Sequence, residues 1–104
     1  MNEPPRDFYQ AAPKLREVAN NLIYGDIWER PQLSKRDRSL ITVAAMLAMK
    51  GIDEMRSHMN RALDNGVTRD ELSEVCTHLA FYCGWPAGVN AARVAQEVFD
   101  QRGI

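Results

Sequence analysis

The sequence holds two cysteines and two histidines in 104 residues. No Cys-x-x-Cys pair occurs, and no His/Cys cluster has the spacing of a zinc site. Cys76 and Cys83 fall seven residues apart in a stretch that reads as helix. A rise of about 1.5 Å per residue separates them by roughly 10 Å, whereas a disulfide needs Cα atoms within about 7 Å. Both are expected as free thiols packed like small apolar groups. No apolar run approaches the roughly 18 residues needed to span a bilayer. Met1-Asn2-Glu3-Pro4-Pro5-Arg6 has no apolar signal core, so the expected location is the cytoplasm. A net charge of −1 with both signs interspersed argues against nucleic acid or an anionic membrane as a partner. There is no period-two alternation, internal repeat or low-complexity segment.

What is present is helical patterning in a chain that is 45% apolar and sized for one domain. Residues 1–10 read as a flexible arm and 11–104 as one helical domain. Pro13 suits a first helical turn, and Leu15, Val18, Ala19 and Leu22 follow at helical spacing over about 12–24, with Gly25 as the stop. Trp28 reads as a core or interface plug. Ser34 caps a second helix over about 35–50, with Asp37 completing the box and Gly51 closing it. Leu40, Val43, Ala44 and Leu47 make one apolar stripe there, which Ile41, Ala45, Met46 and Ala48 widen around most of the girth. One subunit of this size cannot cover such a helix, so a homo-oligomer is expected. Asp53 is expected to cap a third helix, with Met55, Met59 and Ala62 inward and Asn65-Gly66 as its stop. Thr68 and Glu71 form a capping box for a fourth, with Leu72, Val75, Cys76 and Leu79 inward. Gly84-Trp85-Pro86 breaks it, and Pro86 opens an alanine-rich fifth helix. The fold class is all-α, a compact domain of about five helices.

The candidate chemistry centres on Glu54-Met55-Arg56-Ser57-His58. A glutamate and a histidine four apart share a helix face. The anion would favour the charged imidazole and orient it, a combination able to move a proton near neutral pH. The competing reading is an ordinary surface contact on an amphipathic helix. His78, one turn before Tyr82, reads as a histidine hydrogen-bonded within helix packing.

Four stretches together resemble the carboxymuconolactone decarboxylase family: Leu33-Ser-Lys-Arg-Asp-Arg-Ser-Leu-Ile41, Glu54 to His58, Asn65-Gly-Val-Thr-Arg-Asp-Glu-Leu-Ser-Glu-Val75 and Tyr82-Cys-Gly-Trp-Pro-Ala87; Gly25-Asp-Ile-Trp-Glu-Arg-Pro31 resembles a stretch of its non-redox branch. The resemblance implies an alkylhydroperoxidase D-like helical fold, assembly as trimers or hexamers, and active sites at or near subunit boundaries. The redox branch of that family carries Cys-x-x-Cys-x-x-x-His and an upstream glutamate. Aligned on His58, the cysteine positions are Gly51 and Glu54, and the glutamate position is Ser39. A thiol relay needs paired thiols, so the sequence is closer to the branch typified by 4-carboxymuconolactone decarboxylases.

That branch implies cofactor-free decarboxylation of a carboxymuconolactone-type lactone in aromatic catabolism, the 3-oxoadipate pathway. His58 would deliver the proton and Glu54 would orient it. Arg30 and Arg38 are candidates to hold the substrate carboxylate, with solvated charge or an inter-subunit ion pair as the competing reading. Ser39 should face the same space, and Tyr82 and Trp85 are candidate walls, although core or interface packing accounts for them equally. The expected partners are a small lactone carboxylate and further copies of the chain. A non-catalytic oligomeric binding protein of the same fold is the alternative. A thiol-dependent, peroxidase-linked reductase using Cys76 and Cys83 between subunits is a third.

Overall fold

The computed structural model describes residues 8–104; of the arm expected over 1–10, residues 1–7 lie outside the described residues. The chain divides into two compact units, Met1–Leu33 and Ser34–Ile104. Among the described residues no strand occurs, and no helix is long and apolar enough to cross a membrane.

The N-terminal unit departs from the helix expected over 12–24. After a 3-10 turn at Phe8–Ala11, α1 spans only Pro13–Val18, with the proline in its first turn. The chain then widens into a π-helical turn, Ala19–Ile23, in which the Tyr24 N–H donates to the Ala19 carbonyl at 2.9 Å. Gly25 does end the element, for a steric reason. A Cβ there would lie 2.7 Å from the Asn20 carbonyl oxygen and 2.8 Å from that of Asn21. A second 3-10 turn, Ile27–Glu29, follows, and half-buried Trp28 meets Tyr24 with ring centroids 5.8 Å apart. Of the apolar stripe expected on this helix only Ala19 is buried; Leu15 and Leu22 are exposed.

The C-terminal unit is four helices, α2 (Lys35–Met49), α3 (Ile52–Asp64), α4 (Arg69–Cys83) and α5 (Trp85–Arg102). Their packing is led by the pairs α4–α5, α2–α3 and α3–α5. The core is built from Val43 and Leu47 of α2, Met55, Met59 and Ala62 of α3, Leu72 and Cys76 of α4, and Ala91, Val98 and Phe99 of α5. Val75 and Leu79 are only partly buried against it. The far side of α2 stays uncovered, with Ile41 56% and Met49 74% exposed. Ion pairs fasten the outside. Arg56 bonds Glu97 at 2.9 Å and Arg102 bonds Asp64 at 2.7 Å, both between α3 and α5, and Arg36 pairs with Glu71 between α2 and α4.

The caps account for the helix limits. Ser34 Oγ accepts from the Asp37 N–H at 3.0 Å, and Thr68 and Glu71 form both bonds of the expected box. Two expectations at the α2–α3 corner are corrected. Lys50, not Gly51, takes the left-handed position that ends α2, at φ 61°. Gly51, not Asp53, then stands at the N-cap of α3. The Gly51 N–H is held by the Met46 carbonyl at 2.9 Å. The connection is therefore so short that Asp53 is already inside the first turn, where it pairs with Arg56 at 3.0 Å.

A non-glycine residue in the left-handed region costs about 1–2 kcal/mol, partly offset by the extra chain entropy glycine loses on folding. Lys50→Gly should therefore stabilise the protein by about 0.5–1 kcal/mol. Gly66→Ala, at φ +99°, should destabilise it by about 1–2 kcal/mol. Urea midpoints at one fixed protein concentration check both signs, and a lower midpoint for Lys50→Gly would refute this account of the corner.

Candidate active site

His58 sits mid-way along α3 and is half-buried, with its Nδ1 atom closed off from solvent. Burial pushes its pKa below the ordinary histidine value, and the positive charge of Arg61 adds to this. Glu54 acts in the opposite direction and is the weakest of the three influences. The sequence-based expectation that Glu54 would hold His58 charged is thus corrected: the neutral ring is the favoured form at neutral pH. The position of Glu54 explains its weak pull. It is in the first turn of α3, and its carboxylate folds back over Gly51, with Oε2 3.1 Å from where a Cβ on that glycine would stand. An anion is welcome at that helix start.

The other sequence candidates have the following surroundings. Ser39 is fully buried, and its hydroxyl accepts from Asn65 Nδ2 at 2.9 Å, pinning α2 to the end of α3. Asn65 lies seven residues beyond His58 in the sequence, roughly 10 Å along the helix. Ser39 therefore has no exposed surface to offer a ligand. Arg38, its neighbour on α2, is half-buried with its Nε closed off from solvent. Arg30 is exposed and belongs to the N-terminal unit, where it ends the Ile27–Glu29 turn.

Tyr82 and Trp85 are 76% and 66% exposed and stand at the junction of α4 and α5. The Tyr82 ring lies 4.9 Å from that of His78, and Trp85 meets Phe81 edge-on at 6.4 Å. The four rings thus make two contacting pairs, His78–Tyr82 and Phe81–Trp85. Sequence reasoning passed over Phe81, although it lies four residues before Trp85, one helical turn away. His78 also edges a groove of about 280 Å³ between α2 and α4, with Ile41 and Glu74 among its walls. His58 is not among the residues lining that groove. The thiols fit the non-redox reading. Cys76 is a buried free thiol whose pKa is raised by burial, the reverse of a reactive thiolate, and Cys83 is also free.

The charge balance at His58 is directly measurable. In an NMR titration its ring should titrate below about 6.5. Arg61→Gln should raise that midpoint and Glu54→Gln should lower it further. Titration above the ordinary value, or a fall on removing Arg61, would contradict the balance.

The comparisons with known proteins follow the same lines. The model of the carboxymuconolactone decarboxylase family matches residues 13–97. The 4-carboxymuconolactone decarboxylase of Acinetobacter baylyi is 44% identical over 90 residues, covering 86% of this chain and 67% of that protein. The nitrosuccinic acid decarboxylase of Metarhizium robertsii is 34% identical over 85 residues, 82% of this chain and 59% of that one. An uncharacterised 15.0 kDa protein of Paracoccus denitrificans is 28% identical over 80 residues, 75% of this chain and 60% of that protein. The chain therefore spans between 59% and 67% of the length of these relatives. With the matched region covering nearly all of the described helices, the chain belongs to the carboxymuconolactone decarboxylase family.

Proposed function

We propose that the protein is a cofactor-free decarboxylase of a small lactone carboxylate, with 4-carboxymuconolactone as the substrate that fits best. The observation that carries this reading is a half-buried, proton-poor His58 on the helix of a chain 44% identical to a decarboxylase of that substrate. Two relatives named as decarboxylases support the reaction class.

The chemistry asks little of the protein beyond position and one proton. The bond to the departing carboxylate breaks and CO2 leaves. Its electron pair passes into the conjugated lactone as a dienolate, and a proton then adds to the ring carbon beside the lactone carbonyl, giving the 3-oxoadipate enol-lactone. His58, protonated from solvent, delivers that proton, and Glu54 biases the ring toward its charged form. Arg38 is the candidate to hold a carboxylate out of the ring plane, while Arg30, the other sequence candidate, belongs to the N-terminal unit. Ser39 acts by position, fixing α2 against α3. Tyr82 and Trp85, exposed on one chain, become walls where copies meet. The chain works as a soluble, cytoplasmic homo-oligomer, a trimer or hexamer. The bare Ile41, Met49, Phe81, Tyr82 and Trp85 support that assembly.

Two measurements check this reading. His58→Asn should leave the assembly intact and lower turnover of 4-carboxymuconolactone about 10²-fold or more. In the wild type, turnover should fall as pH rises through the His58 pKa, because the proton-donating form is lost. Unchanged turnover in His58→Asn would remove His58 from the mechanism. Light scattering should return at least three times the 11.8 kDa chain mass, and a monomer at micromolar concentration would refute the assembly.

A further inference from the structure

Two grooves lie along the seam of α4 and α5, with His58 absent from their lining residues. These grooves, of about 250 and 180 Å³, share Cys76, Thr77 and Ala92 and so form one continuous trough. From Arg69 to Ala80 it follows α4 for about 16 Å. Its two ends differ in chemistry. Arg69, Ser73, Gln96 and Phe99 line one end, and Ala80, Trp85, Gly88 and Val89 line the other.

The polar end is cationic and under-used. The Arg69 guanidinium lies over the Phe99 ring, 4.8 Å from its centroid, and makes no ion pair among the described residues. Stacking engages the face of a guanidinium and leaves its edge of N–H donors, the part that matches a carboxylate. Ser73 is one turn further along α4. Its backbone carbonyl accepts from Thr77 Oγ1 at 3.3 Å, while its own hydroxyl makes no hydrogen bond among the described residues. Gln96 Nε2 donates to Asp100 at 2.8 Å, which draws that carboxylate onto the amide. The other end is lined by small apolar side chains and by Trp85, a surface suited to hydrocarbon.

We propose that this trough binds an unbranched aliphatic carboxylate of medium chain length. Its carboxylate meets Arg69 and Ser73, and its chain runs past Cys76 and Ala92 toward Trp85. Charge complementarity at one end and apolar lining at the other select this occupant over a simple inorganic anion, which would leave the apolar half empty. The walls include neither His58 nor Glu54, and Trp85 is the one residue they share with the proposed decarboxylase site.

The test is a titration of the full chain with octanoate, followed by amide and indole NMR signals, with octanol and acetate as comparison probes. Saturable shifts are expected at Ser73, Thr77, Gln96 and the Trp85 indole. Arg69→Gln should weaken octanoate about tenfold or more, and acetate should bind more weakly than octanoate. Ala92→Leu, which fills the junction of the two grooves, should remove octanoate binding while the helical circular dichroism is retained. Val89→Asp, which places an anion in the apolar half, serves the same purpose if Ala92→Leu does not fold. The proposal is overturned if no saturable shift appears at these residues. It is equally overturned if octanol binds as tightly as octanoate, or if Arg69→Gln changes nothing. Burial of the trough between copies, seen as trough amides protected in the oligomer and indifferent to octanoate, would overturn it too.

Discussion

No side chain fits at residue 88, and much of the C-terminal unit follows from that. A Cβ on Gly88 would stand 2.5 Å from the Ala80 Cβ and 3.1 Å from the Cys76 carbonyl oxygen. Glycine and alanine at this crossing let α4 and α5 pack closely, so α5 can present a second face to α3. That face carries Ala91 and Val98 into the core, and the Arg56–Glu97 and Arg102–Asp64 pairs fasten its rim. The rim pairs are partly exposed and each contributes little on its own, about 0–1 kcal/mol. The close crossing and the apolar core it allows supply most of the cohesion.

His58 lies on α3, which packs against α2 and α5, and burial is the largest influence on its proton affinity. An electrostatic argument from Glu54 alone reached the opposite sign, because it weighed one neighbour and no desolvation. Arg61, three residues further along the same helix, was equally legible in the sequence and carries the second-largest influence. A half-buried imidazole whose charged form is the less stable one gives up a proton readily.

Local signals were read well where one residue determines one bond. Ser34, the Thr68–Glu71 box, Asn65-Gly66 and the inward faces of Met55, Met59 and Ala62 are all where the sequence placed them. The failures lie where the backbone departs from regular geometry. The π-helical turn at Ala19–Ile23 has no distinctive composition to announce it. The α2–α3 corner put a lysine where a glycine was expected because the next helix begins at once and draws Gly51 into its cap. Ser39 was placed by motif position, which cannot report that Asn65 would reach across to it. The α4–α5 trough was invisible because it depends on which side chains are small on two helices at once.

The central claim is that the chain removes CO2 from a lactone carboxylate without a cofactor and returns a proton to the ring. Purified protein incubated with 4-carboxymuconolactone in D2O, with products read by mass spectrometry and NMR, addresses it most directly. The account predicts one CO2 for each lactone consumed and an enol-lactone that first appears with one deuterium on the ring carbon beside the carbonyl. Recovery of the lactone unchanged, or an enol-lactone first formed without deuterium, would contradict it.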